Sequence, residues 1–208
     1  MNVRQKTAPS DTAQRILDVA EEHFRRVGYG KTAVADIAAE LGMSSANVYR
    51  FFPSKLALNE AICKRLLDES HARMAAIMDD PAPAAARLQR MILDLNAFAW
   101  SKYLSERRMH DMVEVALQEN WGVVRAHLDH VIACIARLIT EGVASGEFRP
   151  VDDIGLTAFT FKQACSAILH PMMIAECARL GLDHEGQAER VVDFALNALK
   201  APRQESTP

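Results

Sequence analysis

Thr32-Ala-Val-Ala-Asp-Ile-Ala-Ala-Glu-Leu-Gly-Met-Ser-Ser-Ala-Asn-Val-Tyr-Arg-Phe-Phe-Pro-Ser-Lys55 is the stretch on which the fold turns. Its spacing predicts two short helices crossed at a tight turn. Ile37 and Ala38 give the first helix an apolar inner face, and a bulkier residue at Ala38 would block close crossing. Gly42 stands where the chain must reverse, and glycine alone takes a left-handed conformation there without a Cβ clash. Ser44 or Ser45 can cap the second helix by accepting an orphan backbone N–H. Val48 and Phe51 point inward from that helix, which leaves Ser45, Ala46, Asn47, Tyr49 and Arg50 to face outward. Pro53 stops it, and Ser54 caps a new helix beginning near Lys55. The pattern is a helix-turn-helix.

The flanks extend the same reading. Upstream, Ser10 or Asp11 caps a helix that shows Ile16, Ala20 and Phe24 at helical spacing and ends at Gly28. Downstream, a longer helix from about 54 to 78 carries Leu58, Ile62, Leu66 and Ser70 on one stripe, and Asp79-Asp-Pro-Ala-Pro83 ends it. Helices follow over roughly 84–103, 106–118 and 121–143. Gly142 and Gly146 are read as a turn. The next helix presents Leu156, Phe159, Ala164 and Ile168, with a kink or break before Pro171, and a last one runs from about 185 to 199. No run alternates in the strand pattern.

The segment from about Asp11 to Leu58 resembles the DNA-binding domain of the TetR family of bacterial transcriptional regulators. The matching pieces are Arg15-Ile-Leu-Asp-Val-Ala-Glu-Glu-His-Phe24, Gly28-Tyr-Gly-Lys-Thr32, Asp36-Ile-Ala38, Leu41-Gly-Met-Ser44 and Val48-Tyr-Arg-Phe-Phe-Pro-Ser-Lys55. The resemblance implies an all-α fold: an N-terminal three-helix DNA-binding domain, then a larger C-terminal helical domain for ligand binding and dimerisation. The boundaries expected are a disordered tail over 1–10, the DNA-binding domain over 11–58, the effector-binding and dimerisation domain over 59–200, and a second disordered tail over 201–208. The resemblance also implies pairing of the last two long helices into a four-helix bundle. Their apolar character over more than one stripe agrees with that, and a two-fold protein suits a palindromic operator.

On the outward face, phosphate grip and base readout separate by chemistry. Tyr49 resembles the family's phosphate-contacting tyrosine, and Lys55 brings a point charge to the same backbone. Thr32 is placed at a helix N-terminus, where a hydroxyl and free N–H groups favour an anion. Arg50 suits phosphate or guanine. Ser44, Ser45, Ala46 and Asn47 lie nearest the base edges, where Asn47 can read adenine and Ala46 can touch a thymine methyl. For Ser44, helix capping is the favoured role.

The helical body is expected to bind a small apolar or aromatic effector. Its candidate lining is Met91, Leu95, Phe98, Trp100, Tyr103, Met112, Trp121, Phe159 and Phe161, with His110, His127, Gln163 and His170 for polar contacts. Met and aromatic residues at helical spacing are more often plain core. His127 and His130 lie three apart and could share a metal with a third ligand, but no further Cys or His stands at diagnostic spacing. No metal ligand, cofactor or catalytic residue is therefore assigned.

Composition narrows the class further. The chain of 208 residues is half hydrophobic and carries a formal charge of −3. Residues 1–66 hold ten Lys/Arg and seven Asp/Glu, so the head is basic and the rest acidic. Cys63, Cys134, Cys165 and Cys177 stand far apart without a Cys-x-x-Cys pair and read as small hydrophobes in a reducing compartment. No apolar run reaches a membrane span, and the N-terminus lacks signal-peptide order, so a cytoplasmic location is expected. No nucleophile elbow, phosphate-binding glycine loop or His-Glu-x-x-His is present, which argues against an enzyme. A helical interaction scaffold would leave Gly42, Ser44, Tyr49 and Lys55 unexplained. The reading is a dimeric repressor of double-stranded operator DNA, with a transcriptional activator as the alternative.

Overall fold

The computed structural model describes residues 9–105, 107–119 and 121–200, without the side chains of residues 9, 10, 103–105, 107, 109 and 110. Residues 1–8 and 201–208 of the two expected tails lie outside the described residues, whereas 9 and 10 already belong to the first helix. The helices run in order α1 (Pro9–Val27), α2 (Val34–Glu40), α3 (Ser45–Tyr49), α4 (Lys55–Met78), α5 (Ala84–Ser105), α6 (Arg107–Gln118), α7 (Gly122–Ala144), α8 (Ile154–Ala164), α9 (Ser166–Leu169), α10 (Pro171–Leu180) and α11 (His184–Leu199). The expected all-α class holds, and an isolated bridge between Phe148 and Lys200 is the one β feature among the described residues. No helix among them is long and apolar enough to cross a membrane.

The described residues divide into two compact units. One gathers 9–66 with 107–119 and 121–124; the other gathers 67–105 and 125–200. A boundary drawn along the chain cannot express this grouping, because α6 joins α1, α2 and α3 while α5, which lies between them in sequence, does not.

In the first unit, α1 buries Ile16, Ala20 and Phe24, the stripe expected from its spacing. Full burial of side chains the size of Ile16 and Phe24 contributes about 1.5–3 kcal/mol each. The helix stops at Gly28, whose φ of +90° suits a residue without Cβ. Tyr29 then sets its ring edge-on between Phe24 and Trp121, at centroid distances of 6.3 and 6.2 Å. Polar ties hold the helices in place around this apolar centre. His23 Nε2 lies 2.8 Å from Glu40 Oε2, linking α1 to α2, and Arg65 reaches Asp18 at 2.9 Å, linking α4 to α1. From α6, the Arg108 guanidinium donates to the Arg25 carbonyl.

The second unit is built around Leu88, Met91 and Ile92 of α5, packed with Ile135, Leu138 and Ile139 of α7 and Ala188, Val192 and Leu199 of α11. Arg87 is buried, and its guanidinium donates to the Met78 carbonyl at the end of α4, to the Ala82 carbonyl and to Glu141. Glu147 accepts from the N–H groups of Ala84 and Ala85, which satisfies orphan donors at the start of α5.

Two expectations are corrected here, and the break expected before Pro171 is present. Gly142 is not a turn residue: α7 continues to Ala144, and the reversal falls at Gly146, with φ of +79°. On α8 the buried face is Ala158 and Phe161, continued by Cys165, whereas Leu156, Phe159 and Ala164 are exposed. The helix is apolar on two sides, and period alone does not say which side faces in. Lastly, Pro171 starts a helix as well as ending one. It occupies the first turn of α10, where its missing N–H costs nothing, and His170 Nδ1 accepts from Met172 N at 3.3 Å as the cap.

Candidate nucleic-acid interface

The turn between α2 and α3 is a closed set of backbone bonds. Leu41 ends α2 in right-handed geometry, and Gly42 follows at φ +67°. The N–H of Gly42 reaches the Ala39 carbonyl at 3.0 Å, and that of Met43 reaches the Ala38 carbonyl at 2.9 Å. This double closure needs a left-handed residue at its centre, which accounts for the glycine. Ser44 then caps α3, its Oγ accepting from Asn47 N at 3.3 Å, so the capping role is the one it fills. Ser54 caps α4 in the same way, accepting from Ala57 N at 3.0 Å.

Between these two caps lies one turn and a half of helix with two unlike faces. Val48 is 1% exposed and anchors α3 inward, with Phe51 half-buried just beyond it. Ser44, Ala46, Tyr49 and Arg50 are exposed, and Ser45, Asn47 and Lys55 are half-buried. Tyr49 is 43% exposed, unusual for an aromatic ring in a small helical unit. Asn47 turns its amide nitrogen back to the Met43 sulfur at 3.6 Å, and must leave that contact to reach a base edge. Seven of the eight predicted residues thus fall together on one short helix and its flanks.

Thr32 is the exception. It is 2% exposed, and its hydroxyl donates to the Gly28 carbonyl at 2.9 Å. The helix it was expected to begin starts two residues later, at Val34, with Ala33 as N-cap. Its single hydroxyl proton is used inside the α1–α2 turn, and no face of it is open to phosphate.

The residues of the expected effector lining are divided between the two units. Met112 and Trp121 belong to the first unit; Met91, Leu95, Phe98, Trp100, His127, Phe159 and Gln163 belong to the second. Met91 and Leu95 are core residues, and Trp100 packs with Ile174 and Cys177. Phe98 lies under the Arg73 and Lys102 cations at 5.6 and 5.2 Å. Phe159 and Gln163 are exposed, so neither lines an interior wall. The side chains of Tyr103 and His110 lie outside the described residues. His127 meets His71 of α4 at 2.9 Å, a contact that spacing along one helix could not reveal.

Comparison with known proteins adds to this geometry. A family model described as bacterial regulatory proteins, tetR family, matches residues 16–62, and one described as tetracyclin repressor-like, C-terminal domain, matches residues 84–192. The HTH-type transcriptional regulator RutR of Escherichia coli (strain K12) is 30% identical over 152 residues, which cover 72% of this chain and 70% of that protein. Among solved structures, a regulator of the TetR/AcrR family from Thermobifida fusca YX-ER1 has a TM-score of 0.63 at 24% identity, over 92% of this chain and 100% of that one. The regulator FadR from Bacillus subtilis, in complex with stearoyl-CoA, has a TM-score of 0.67 at 18% identity, over 89% and 98%. The last two likenesses concern the fold.

Proposed function

The chain belongs to the TetR family of DNA-binding transcriptional regulators, and from that premise we propose that it is a repressor that binds a palindromic operator as a dimer and is released by a small apolar or aromatic effector. The observation that carries the DNA-binding part is the division of α3 between a buried Val48 and an exposed row of Ala46, Tyr49 and Arg50. A helix this short contributes little core, so its outward residues are free to serve a groove. Tyr49 and Lys55 grip phosphate; Ser45, Ala46 and Asn47 face base edges; Arg50 serves either. Dimerisation is supported by Leu156 and Phe159 on α8 and Phe194 on α11, large apolar side chains left in water on helices that touch each other.

Release follows from population shift. The effector favours a conformer in which the two α3 helices no longer match successive major grooves, about 34–36 Å apart. It does so only by its difference in affinity between the two states. Support for an apolar effector comes from FadR, of the same fold, which is seen with stearoyl-CoA.

The test is selection of bound fragments from random duplex DNA by the purified chain at a stated salt concentration. One palindromic motif is the expected result; recovery of no motif, with binding at the non-specific level, would overturn the reading. Two substitutions then separate the roles. Lys55→Ala is expected to weaken binding to every sequence alike and to reduce the salt slope by about one counterion. Asn47→Ala is expected to leave that slope alone and relax preference at one or two positions, each at a cost of about 1–3 kcal/mol of discrimination. A binding series over operator variants and salt concentrations distinguishes the two patterns.

A further inference from the structure

On α7, His127, His130 and Cys134 fall at i, i+3 and i+7, one stripe of the helix. The structure brings His71 of α4 against that stripe. His71 Nε2 lies 2.9 Å from His127 Nδ1, with the rings stacked at 5.1 Å, and the His71 and His130 rings are 4.6 Å apart. Cys134 Sγ lies 3.8 Å from His130 Nε2. Three imidazoles and a thiol from two helices are therefore gathered within one side-chain length, all inside the second unit.

We propose that His71, His127, His130 and Cys134 form a site for a borderline-soft transition-metal cation of the Zn²⁺ class. Nitrogen and sulfur donors in this ratio suit such an ion, and would exclude Mg²⁺ or Ca²⁺, which require oxygen. Tetrahedral Zn–N bonds of about 2.0–2.1 Å would set two ligating nitrogens about 3.3 Å apart, a few tenths beyond the present His71–His127 separation. As the side chains stand, no three donors converge on one point. The proposed site therefore requires the exposed His130 and the half-buried Cys134 to rotate toward His71 and His127.

Two further features agree. Asp68 Oδ1 lies 4.0 Å from His71 Nδ1, longer than a hydrogen bond but beside the ring nitrogen that would face away from the metal, where a carboxylate partner belongs in carboxylate–histidine–metal arrangements. A groove of about 300 Å³, lined by Ala75, Asp79, His130, Cys134 and Arg137, opens beside the cluster and offers an entry path. The Arg137 charge in that groove is met by Glu141 at 2.9 Å. On binding, the Cys134 thiol releases its proton to solvent, and the N–H shared by His71 and His127 moves to the other nitrogen of its own ring.

The test uses the full chain and Zn²⁺ alone, competed against a chromophoric chelator, with Co²⁺ as the spectroscopic substitute. Uptake of one ion per chain is expected, with tetrahedral Co²⁺ bands and a thiolate-to-metal band. His71→Ala and His127→Ala are each expected to weaken binding by about 100-fold or more, beyond the 10–100-fold typical of an outer-shell partner. Cys134→Ser replaces a half-buried atom by one of similar size and should fold as the parent does. It is expected to remove the thiolate band and keep weaker Co²⁺ binding. In the parent, Zn²⁺ should slow alkylation of Cys134. Zn²⁺ binding that is equally tight in His71→Ala, or a thiolate band that survives Cys134→Ser, would overturn the site, as would absence of uptake at tens of micromolar Zn²⁺. None of these readouts depends on DNA.

Discussion

Phe194→Asp is expected to leave a folded monomer that has lost operator binding. Phe194 is 78% exposed, and Leu156 on the adjoining α8 is 63% exposed. A ring held in water contributes almost nothing to the stability of its own chain, so removing it should not lower the unfolding midpoint. In the proposed dimer, built on α8 and α11, the same ring belongs to the apolar face that the second copy covers. Aromatic anchors in such positions are worth about 2 kcal/mol or more, and a carboxylate forced into the patch adds an unpaired charge on each side of the two-fold axis. Sedimentation velocity should report monomer mass at concentrations where the parent is dimeric. Operator affinity should fall by at least about 30-fold, the factor that corresponds to 2 kcal/mol, because each half-site is then held alone. If the variant keeps dimer mass and parental affinity, the apolar faces of α8 and α11 have another purpose.

The features legible from the sequence are those whose causes lie within a few residues. Gly42, Ser44 and Ser54 act on backbone groups three to five positions away, and the structure has each in its expected turn or cap. The Ile16, Ala20 and Phe24 stripe is equally plain, since α1 is apolar on one side only. Where the deciding partner is remote, the pattern is silent. Gln163 is expected beside Phe159 and Phe161 as a polar contact, yet of the three only Phe161 is buried, together with Ala158. Thr32 reads as an anion donor because its bond to the Gly28 carbonyl, though local, depends on a loop conformation that composition does not specify. His71 and His127 are 56 residues apart, and nothing along the chain pairs them. The candidate DNA face is readable for one further reason: a five-residue helix capped at its start and followed by a proline has few ways to orient its side chains.

Gly142 provides the second large effect. It lies inside α7, and a Cβ built there would stand 2.2 Å from Cδ2 of the Phe148 ring and 2.4 Å from Cε2. The chain reverses at Gly146 and lays that ring flat across the helix, with Phe148 N donating to the Gly142 carbonyl at 3.0 Å. The ring is 2% exposed and part of the core cluster of the second unit, so it has no free volume into which to retreat. Gly142→Ala is therefore expected to destabilise that unit by about 1–3 kcal/mol, even though alanine is the better helix former. Phe148→Ala, which empties the same space, should cost about 3–5 kcal/mol. The informative case is the double variant. The methyl group that Gly142→Ala introduces then occupies room that the ring has left, and the clash that made the first substitution costly is gone. The combined loss should fall short of the sum of the single losses by about 1–3 kcal/mol. Trp100 belongs to the second unit and Trp121 to the first, so a Trp121→Phe background restricts the fluorescence change on urea unfolding to the unit in question. Simple additivity of the two losses would mean that the glycine is retained for some reason other than the ring lying across it.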